Sequence, residues 1–272
     1  MADGSHTLKL MCVLAHPDDE TNGIGGTLAK YSAEGVETYV LTATRGEYGW
    51  YGPESDNPGP EALGKIREAE LRQAVKVLGV REHHFLDYID GHVDQADPKE
   101  AIGRIVGHLR RVKPQVVITW GPDGGYGHPD HIATGQFTTA AVVQAADSTY
   151  VDSDQLPPHR VLKLYFMTQC QQLVDLYQQI FGELVMPVDG VERRMVVTSD
   201  WEITTRLDTA KYWRTVWEAI CCHETQMPAY GKIGNFSDEF QESLWGCQNF
   251  YRAFSFVNGG RAVEYDLFEG LR

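Results

Sequence analysis

Cysteine is scarce in this 272-residue chain: there are five, and no two are spaced as C-x-x-C. Neither a cysteine-ligated metal site nor a disulfide framework is therefore indicated. The chain also lacks an apolar stretch long enough to cross a bilayer, and its start lacks a charged-then-apolar leader. A membrane partner is thus not expected, and the cytoplasm is the expected location. Positive charge is in short supply, with 24 basic against 38 acidic residues and a formal net charge of −14. Such a surface repels phosphate backbones and anionic lipid, which argues against nucleic acid and leaves a small molecule as the expected partner. A homo-oligomer is compatible with all of this. There is no internal repeat and no low-complexity tract.

What is present suits one globular domain. Hydrophobic residues make up 42% of the chain, enough for a sizeable core. The expected domain is residues 1–272, with a core of about 8–170 and an elaborated C-terminal part of about 171–272. Strand-like and helix-like segments alternate. Short apolar runs at 8–14, 38–42, 84–88, 115–120 and 162–168 read as strands. Helical spacing marks 25–32, 61–78, 98–112, 173–181 and 209–222. Residues 196–199 are expected to form a further strand, and the polar, proline-bearing stretch 147–160 a loop. The aromatic tail (Trp245, Phe250, Tyr251, Phe254, Phe256) is expected to close over the core. This pattern predicts an α/β fold, a Rossmann-like three-layer α/β/α arrangement with a mostly parallel sheet. Its active site should lie at the carboxyl ends of the strands.

Two such ends carry chemistry. The first strand runs into Ala15-His16-Pro17-Asp18-Asp19-Glu20, and the fourth into a glycine-rich stretch ending Gly125-Tyr126-Gly127-His128-Pro129-Asp130-His131. Each contains His-Pro-Asp, in which proline restricts its own φ and the residue before it. A hydrolytic zinc takes three ligands from His and Asp or Glu and keeps a position for water; His16, Asp19 and His131 can supply that set. Asp18 adjoins them as a candidate base. His128 is placed to stabilise an oxyanion as a cation or to protonate a leaving amine. Individually these residues have plainer readings, since Asp18, Asp19 and Glu20 also suit a helix N-terminus. Two His-Pro-Asp clusters at two strand ends are harder to explain that way.

Together the motifs resemble those of the PIG-L/LmbE family of zinc-dependent N-deacetylases, well over residues 8–146 and loosely beyond. The resemblance implies metal ligation by His16, Asp19 and His131, with zinc as the ion and ferrous iron as the alternative. It implies Asp18 as general base, His128 in an electrostatic role with Asp130 orienting it, and Tyr126 as a mobile group binding the carbonyl. Arg67, in Arg67-Glu68-Ala69-Glu70, corresponds to a substrate-contacting arginine. Asp90 lies in a looser match to an acidic substrate-facing loop. The reaction implied is hydrolysis of an N-acyl, chiefly N-acetyl, group on an amino sugar such as an N-acetylglucosamine glycoside. An amidase acting on a thiol conjugate is the alternative. His223, in Cys222-His223-Glu224-Thr225-Gln226, resembles part of a family segment but is read here as a helix C-cap. Two rivals fit less well. A dinucleotide fold needs glycines where His-Pro-Asp-Asp stands, and a non-haem iron oxygenase leaves Asp18 and His128 without a role.

Overall fold

The computed structural model describes residues 7–272, so residues 1–6 of the expected domain lie outside it. Strand β1 (Lys9–Leu14) leads through a short turn of helix, α1 (Asp19–Asn22), into α2 (Gly25–Ala33) and β2 (Glu37–Thr44). Helix α3 (Pro60–Val77), β3 (Glu82–Tyr88), α4 (Pro98–Val112) and β4 (Val116–Thr119) continue the alternation. A glycine-rich turn, α5 (Gly124–Gly127), precedes α6 (Pro129–Ala145), which is followed by β5 (Lys163–Thr168) and α7 (Gln171–Phe181). A hairpin of β6 (Val185–Val188) and β7 (Val191–Arg194) and then β8 (Thr205–Asp208) come next. Helices α8 (Trp213–Cys221), α9 (Met227–Tyr230) and α10 (Asp238–Trp245) lead to the last strand, β9 (Cys247–Ser255).

Seven strands form one sheet in the order β3-β2-β1-β4-β5-β9-β8, parallel through β5 and antiparallel at β9 and β8. Strand β1 is apolar without alternation because both sheet faces are covered. Leu10, Cys12 and Leu14 pack on one side with Leu28 of α2, Ala74 of α3 and Ala219 of α8. Met11 and Val13 pack on the other with Ile105 and Leu109 of α4 and Phe137 and Ala141 of α6. The three-layer architecture is therefore as expected.

Two expectations are amended, while 147–160 is a loop as expected. Residues 196–199 are not a strand; the strand lies just before them, in the hairpin, and Val196 N–H instead donates to Gly125 O at 2.8 Å. The aromatic tail does more than cover the core: Phe250, Tyr251 and Phe254 belong to β9, which pairs along the whole of β5. The C-terminal part thus supplies two strands of the central sheet. The insertion at 147–160 is pinned by Arg110, which is 1% exposed. Its guanidinium donates to the carbonyls of Ala145, Asp147, Tyr150 and Leu156 and to Asp152 Oδ2 at 2.8 Å.

Candidate active site

From β1 the sheet grows one way through β2 and β3 and the other way through β4 and β5. The crevice between β1 and β4 is therefore the topological switch point, where open α/β sheets bind their ligands. Register places the two carboxyl ends side by side, with Leu10 opposite Val116 and Cys12 opposite Ile118. Both motifs open there. The first turns sharply, with Asp18 at φ 102°, a conformation non-glycine residues hold only when their surroundings enforce it. The second is a helix start: His128 is the N-cap of α6, Pro129 opens its first turn, and His131 follows within that turn.

His16 Nδ1 and His131 Nε2 face each other at 3.1 Å. The opposite edge of each ring is committed. His16 Nε2 lies 3.1 Å from Asp90 Oδ1 and 3.2 Å from Asp130 Oδ2, so it must donate. His131 Nδ1 donates to Gly124 O at 3.0 Å. With both rings neutral, the inward nitrogens present lone pairs to one point, an arrangement relieved by a proton shared between them or by a divalent cation. Two imidazoles on one zinc, at about 2.0–2.1 Å each and tetrahedral, would stand roughly 3.3–3.4 Å apart. Asp19, the third expected donor, accepts at Oδ2 from the amides of Ala15 and His16, and its Oδ1 lies 3.7 Å from His131 Nε2. The donors present therefore fit a divalent metal, and carboxylate and carbonyl partners on the outer nitrogens are what such ligands require.

The electrostatics reflect the crowding. Burial raises the Asp19 pKa to about 7 against the pull of His16. His131 is driven well down by burial and then by His16, whereas burial of His16 is outweighed by Asp90, Asp130 and Asp19, and its pKa rises. Burial also raises Asp18, with Arg67 opposing.

His128 joins His16 and His131 in a tight cluster of metal-capable nitrogens, but its hydrogen bonding argues against ligation. The backbone N–H of Asp130 donates to His128 Nδ1 at 3.1 Å, which fixes the ring proton on Nε2 and makes that nitrogen a donor. Burial, reinforced by His16, lowers the His128 pKa to about 4, which works against the positive charge expected of it. Asp130 likewise orients the other histidine. Its carboxylate holds His16 Nε2 and accepts from the amides of Gly91 and Val93, and only its backbone reaches His128.

Tyr126 stands edge-on to His128 and His131, with ring centroids 5.7 and 5.2 Å away, flanked by glycines at positive φ. Arg67, 3% exposed, donates to Pro17 O at 2.5 Å and Gly46 O at 2.9 Å and lies 3.4 Å from Asp18 Oδ2. Asp90, expected to face substrate, lines the cavity, with its carboxylate bonded to His16 and to the Tyr48 amide. Its pKa is held well below the usual carboxylate range, His16 overcoming the opposing effect of burial.

The structure also corrects the reading of His223. It is no simple helix cap: fully buried, its Nε2 meets Glu20 Oε1 at 2.7 Å, and Glu20 Oε2 accepts the Asp18 amide at 3.0 Å. Next to it, Thr225 bonds Glu70 through both its amide and its hydroxyl, and Gln226 donates to Gly49 O. Sequence reasoning had treated Glu20 only as a helix-capping acid. It also missed Trp120, whose ring stacks on His131 with centroids 3.9 Å apart; its place at the end of the β4 apolar run was the available signal. Gly46 and Gly49 were missed as well, although a Cβ at either would lie within 2.3 Å of Arg67 Nη1.

A doubly wound sheet with histidines and carboxylates converging at its switch point defines the class, an α/β protein with a candidate metal-assisted site. Comparison supplies the family. The profile of the family described as "PIG-L: GlcNAc-PI de-N-acetylase" matches residues 11–142. Over 97% of its length the chain is 33% identical to 1D-myo-inositol 2-acetamido-2-deoxy-alpha-D-glucopyranoside deacetylase from Kineococcus radiotolerans, covering 83% of that protein. It is 31% identical to mycothiol S-conjugate amidase from Streptomyces coelicolor, over 97% of this chain and 98% of the other. The chain belongs to the PIG-L family. Among solved structures, N,N'-diacetylchitobiose deacetylase from Pyrococcus horikoshii shares the fold, with a TM-score of 0.68 at 20% identity, covering 91% of this chain and 84% of that one.

Proposed function

We propose that this amide hydrolase removes an N-acetyl group from an amino sugar, with His16, Asp19 and His131 holding a divalent ion, zinc by donor type. The observation that carries the reading is the pair of inward-facing imidazole nitrogens 3.1 Å apart beside the free oxygen of Asp19. An ion held there would supply Lewis-acid activation, enough to bring a water's pKa to about 7. Asp18 would take the proton of the attacking water and pass it to the amine nitrogen as the C–N bond breaks, releasing acetate; its strained backbone is fixed by Glu20 at the amide and its carboxylate faces Arg67. His128 points Nε2–H at the carbonyl oxygen as negative charge develops, a donor the Asp130 amide has already oriented. Tyr126 lines the same cavity and adds a hydroxyl donor from its glycine-flanked turn. Asp90 and Asp130 keep the His16 tautomer fixed with its lone pair inward. The relatives' names support the substrate class, an N-acetylated glucosamine glycoside, with the amide of a thiol conjugate as the second arm of any screen.

The test is free-amine release from N-acetylglucosamine glycosides by metal-loaded protein, together with metal analysis of wild type and His131→Ala. Turnover with stoichiometric metal that His131→Ala loses is expected. Equal metal in both proteins, or no amine from any substrate, overturns the assignment.

A further inference from the structure

The site opens into a cavity of about 590 Å³. That is mid-range for pockets enclosing a drug-sized ligand, roughly 300–1,000 Å³, and more than a single N-acetylated hexose fills. Its walls differ in chemistry. The motif side holds His16, Asp18, Asp19, His128 and His131, with Tyr230 near Asp18. The outer side, contributed by α7 and the β6–β7 hairpin with its flanks, carries Leu173, Phe181, Leu184, Met186 and Met195 beside Tyr177. At the carboxyl end of β5, where the chain passes from sheet to α7, Thr168 Oγ1 and Gln169 Oε1 are buried without partners. Both residues line the cavity and offer hydrogen bonds to sugar hydroxyls. Leu173 and Phe181 pack behind on the cluster of Trp213, Ile220 and Trp245, so helix packing holds the apolar wall in place. Two methionines in that wall can adapt to an apolar shape. The charged residues of the outer part are Glu183, which is ion-paired with Arg194, and Lys232.

We propose that the substrate carries an apolar aglycone, an alkyl or aryl group on the amino sugar, seated in this outer vestibule. The inference rests on the deacetylase reading above and narrows it. A hydroxyl-rich aglycone such as an inositol would lose water against Leu173, Phe181, Leu184, Met186 and Met195, which offer no hydrogen bonds in return. Each methylene fully buried instead strengthens binding about fourfold.

The experiment compares kcat/KM for the methyl, pentyl, phenyl and inositol glycosides of N-acetylglucosamine, and for a methyl glycoside bearing N-hexanoyl in place of N-acetyl. The pentyl and phenyl glycosides should exceed both methyl and inositol glycosides by about tenfold or more. Phe181→Ala should shrink the pentyl-to-methyl ratio at least about threefold. Met186→Gln, on the half-buried hairpin, should do the same and serves where Phe181→Ala fails to fold. Equal ratios, or preference for the inositol glycoside, overturn the vestibule while leaving deacetylation standing. Preference for N-hexanoyl overturns the aglycone assignment and gives the wall to the acyl chain. Absence of turnover on every compound overturns both readings together.

Discussion

Gly49 offers a clean way to test whether Arg67 positions the base. Its φ is not in the left-handed region, so alanine suits the backbone, yet the added Cβ would lie 2.3 Å from Arg67 Nη1 and 3.3 Å from its Cζ. Ordinary contact begins near 3.4 Å, so the guanidinium must retreat by about 1 Å. It has little room, being 3% exposed and bonded to the carbonyls of Pro17 and Gly46. Each hydrogen bond to a charged group contributes about 1.5–3 kcal/mol. Gly49→Ala therefore either strains the loop by about that amount or releases Pro17 and the neighbouring Asp18. A displacement of this size at a catalytic group costs about 10²-fold in rate. The assay is kcat and KM on an N-acetylglucosamine glycoside, with metal content and urea stability measured on the same preparations. The expected result is kcat down about 10²-fold with metal retained. Arg67→Met should show a similar loss, and the double variant little more than either alone, because both changes act through one guanidinium. A Gly49→Ala enzyme with normal kcat, or strictly additive losses, would refute the reasoning.

Other consequences are equally open to measurement. Asp18→Asn should keep its metal while kcat falls about 10²- to 10⁴-fold; near-normal turnover would mean another group takes the proton. His128→Ala removes the Nε2–H donor, so kcat should fall about 10²- to 10³-fold with metal content unchanged, and loss of metal would instead make it a ligand. Arg110→Met leaves buried Asp152 Oδ2 and the carbonyls of Asp147, Tyr150 and Leu156 without the guanidinium donor, and urea denaturation should report a loss of about 3–5 kcal/mol; a change below about 1 kcal/mol would count against the anchor. Burial lowers the pKa of both His83 and His108 to about 4. As pH drops below about 6.5 the unfolded chain takes up these protons before the folded one, so stability should be lost progressively down to about pH 4. The slope is at most about 1.4 kcal/mol per pH unit for each histidine, and an unchanged slope in a His83→Asn/His108→Asn protein would contradict it.

Much of the parallel half was legible because its signals are local. The apolar runs of β1 and β4 name buried strands, and topology alone then brings two His-Pro-Asp clusters to one crevice. What stayed hidden depends on distant partners. Nothing near Glu20 announces that its acceptor oxygens serve His223 and the Asp18 amide, 203 residues apart in the first case. The partnership of Asp130 with His16 rather than His128 arises because the α6 N-cap leaves only a backbone bond between Asp130 and its near neighbour. Strand β9 alternates poorly, with Gln248 and Asn249 buried among its aromatics, so periodicity alone could not place it in the sheet. Helix α6 escaped notice because many of its buried residues are small or polar, Thr134, Gly135, Thr138 and Ala141 among them, and leave no clean apolar stripe.

The late arrival of β9 bears on how the chain is made. During synthesis the parallel strands emerge first, and β5, complete at Thr168, waits through 78 further residues before Cys247 begins its partner. Until then its outer edge offers unpaired amides and carbonyls beside an apolar surface, a template for pairing with another nascent chain. Buried Lys163 on that strand must also wait for Glu264, its carboxylate partner at 2.6 Å. A ribosome-bound fragment ending before residue 247 should thus be the aggregation-prone species, and a chaperone that shields the β5 edge over that interval would raise the yield of native protein.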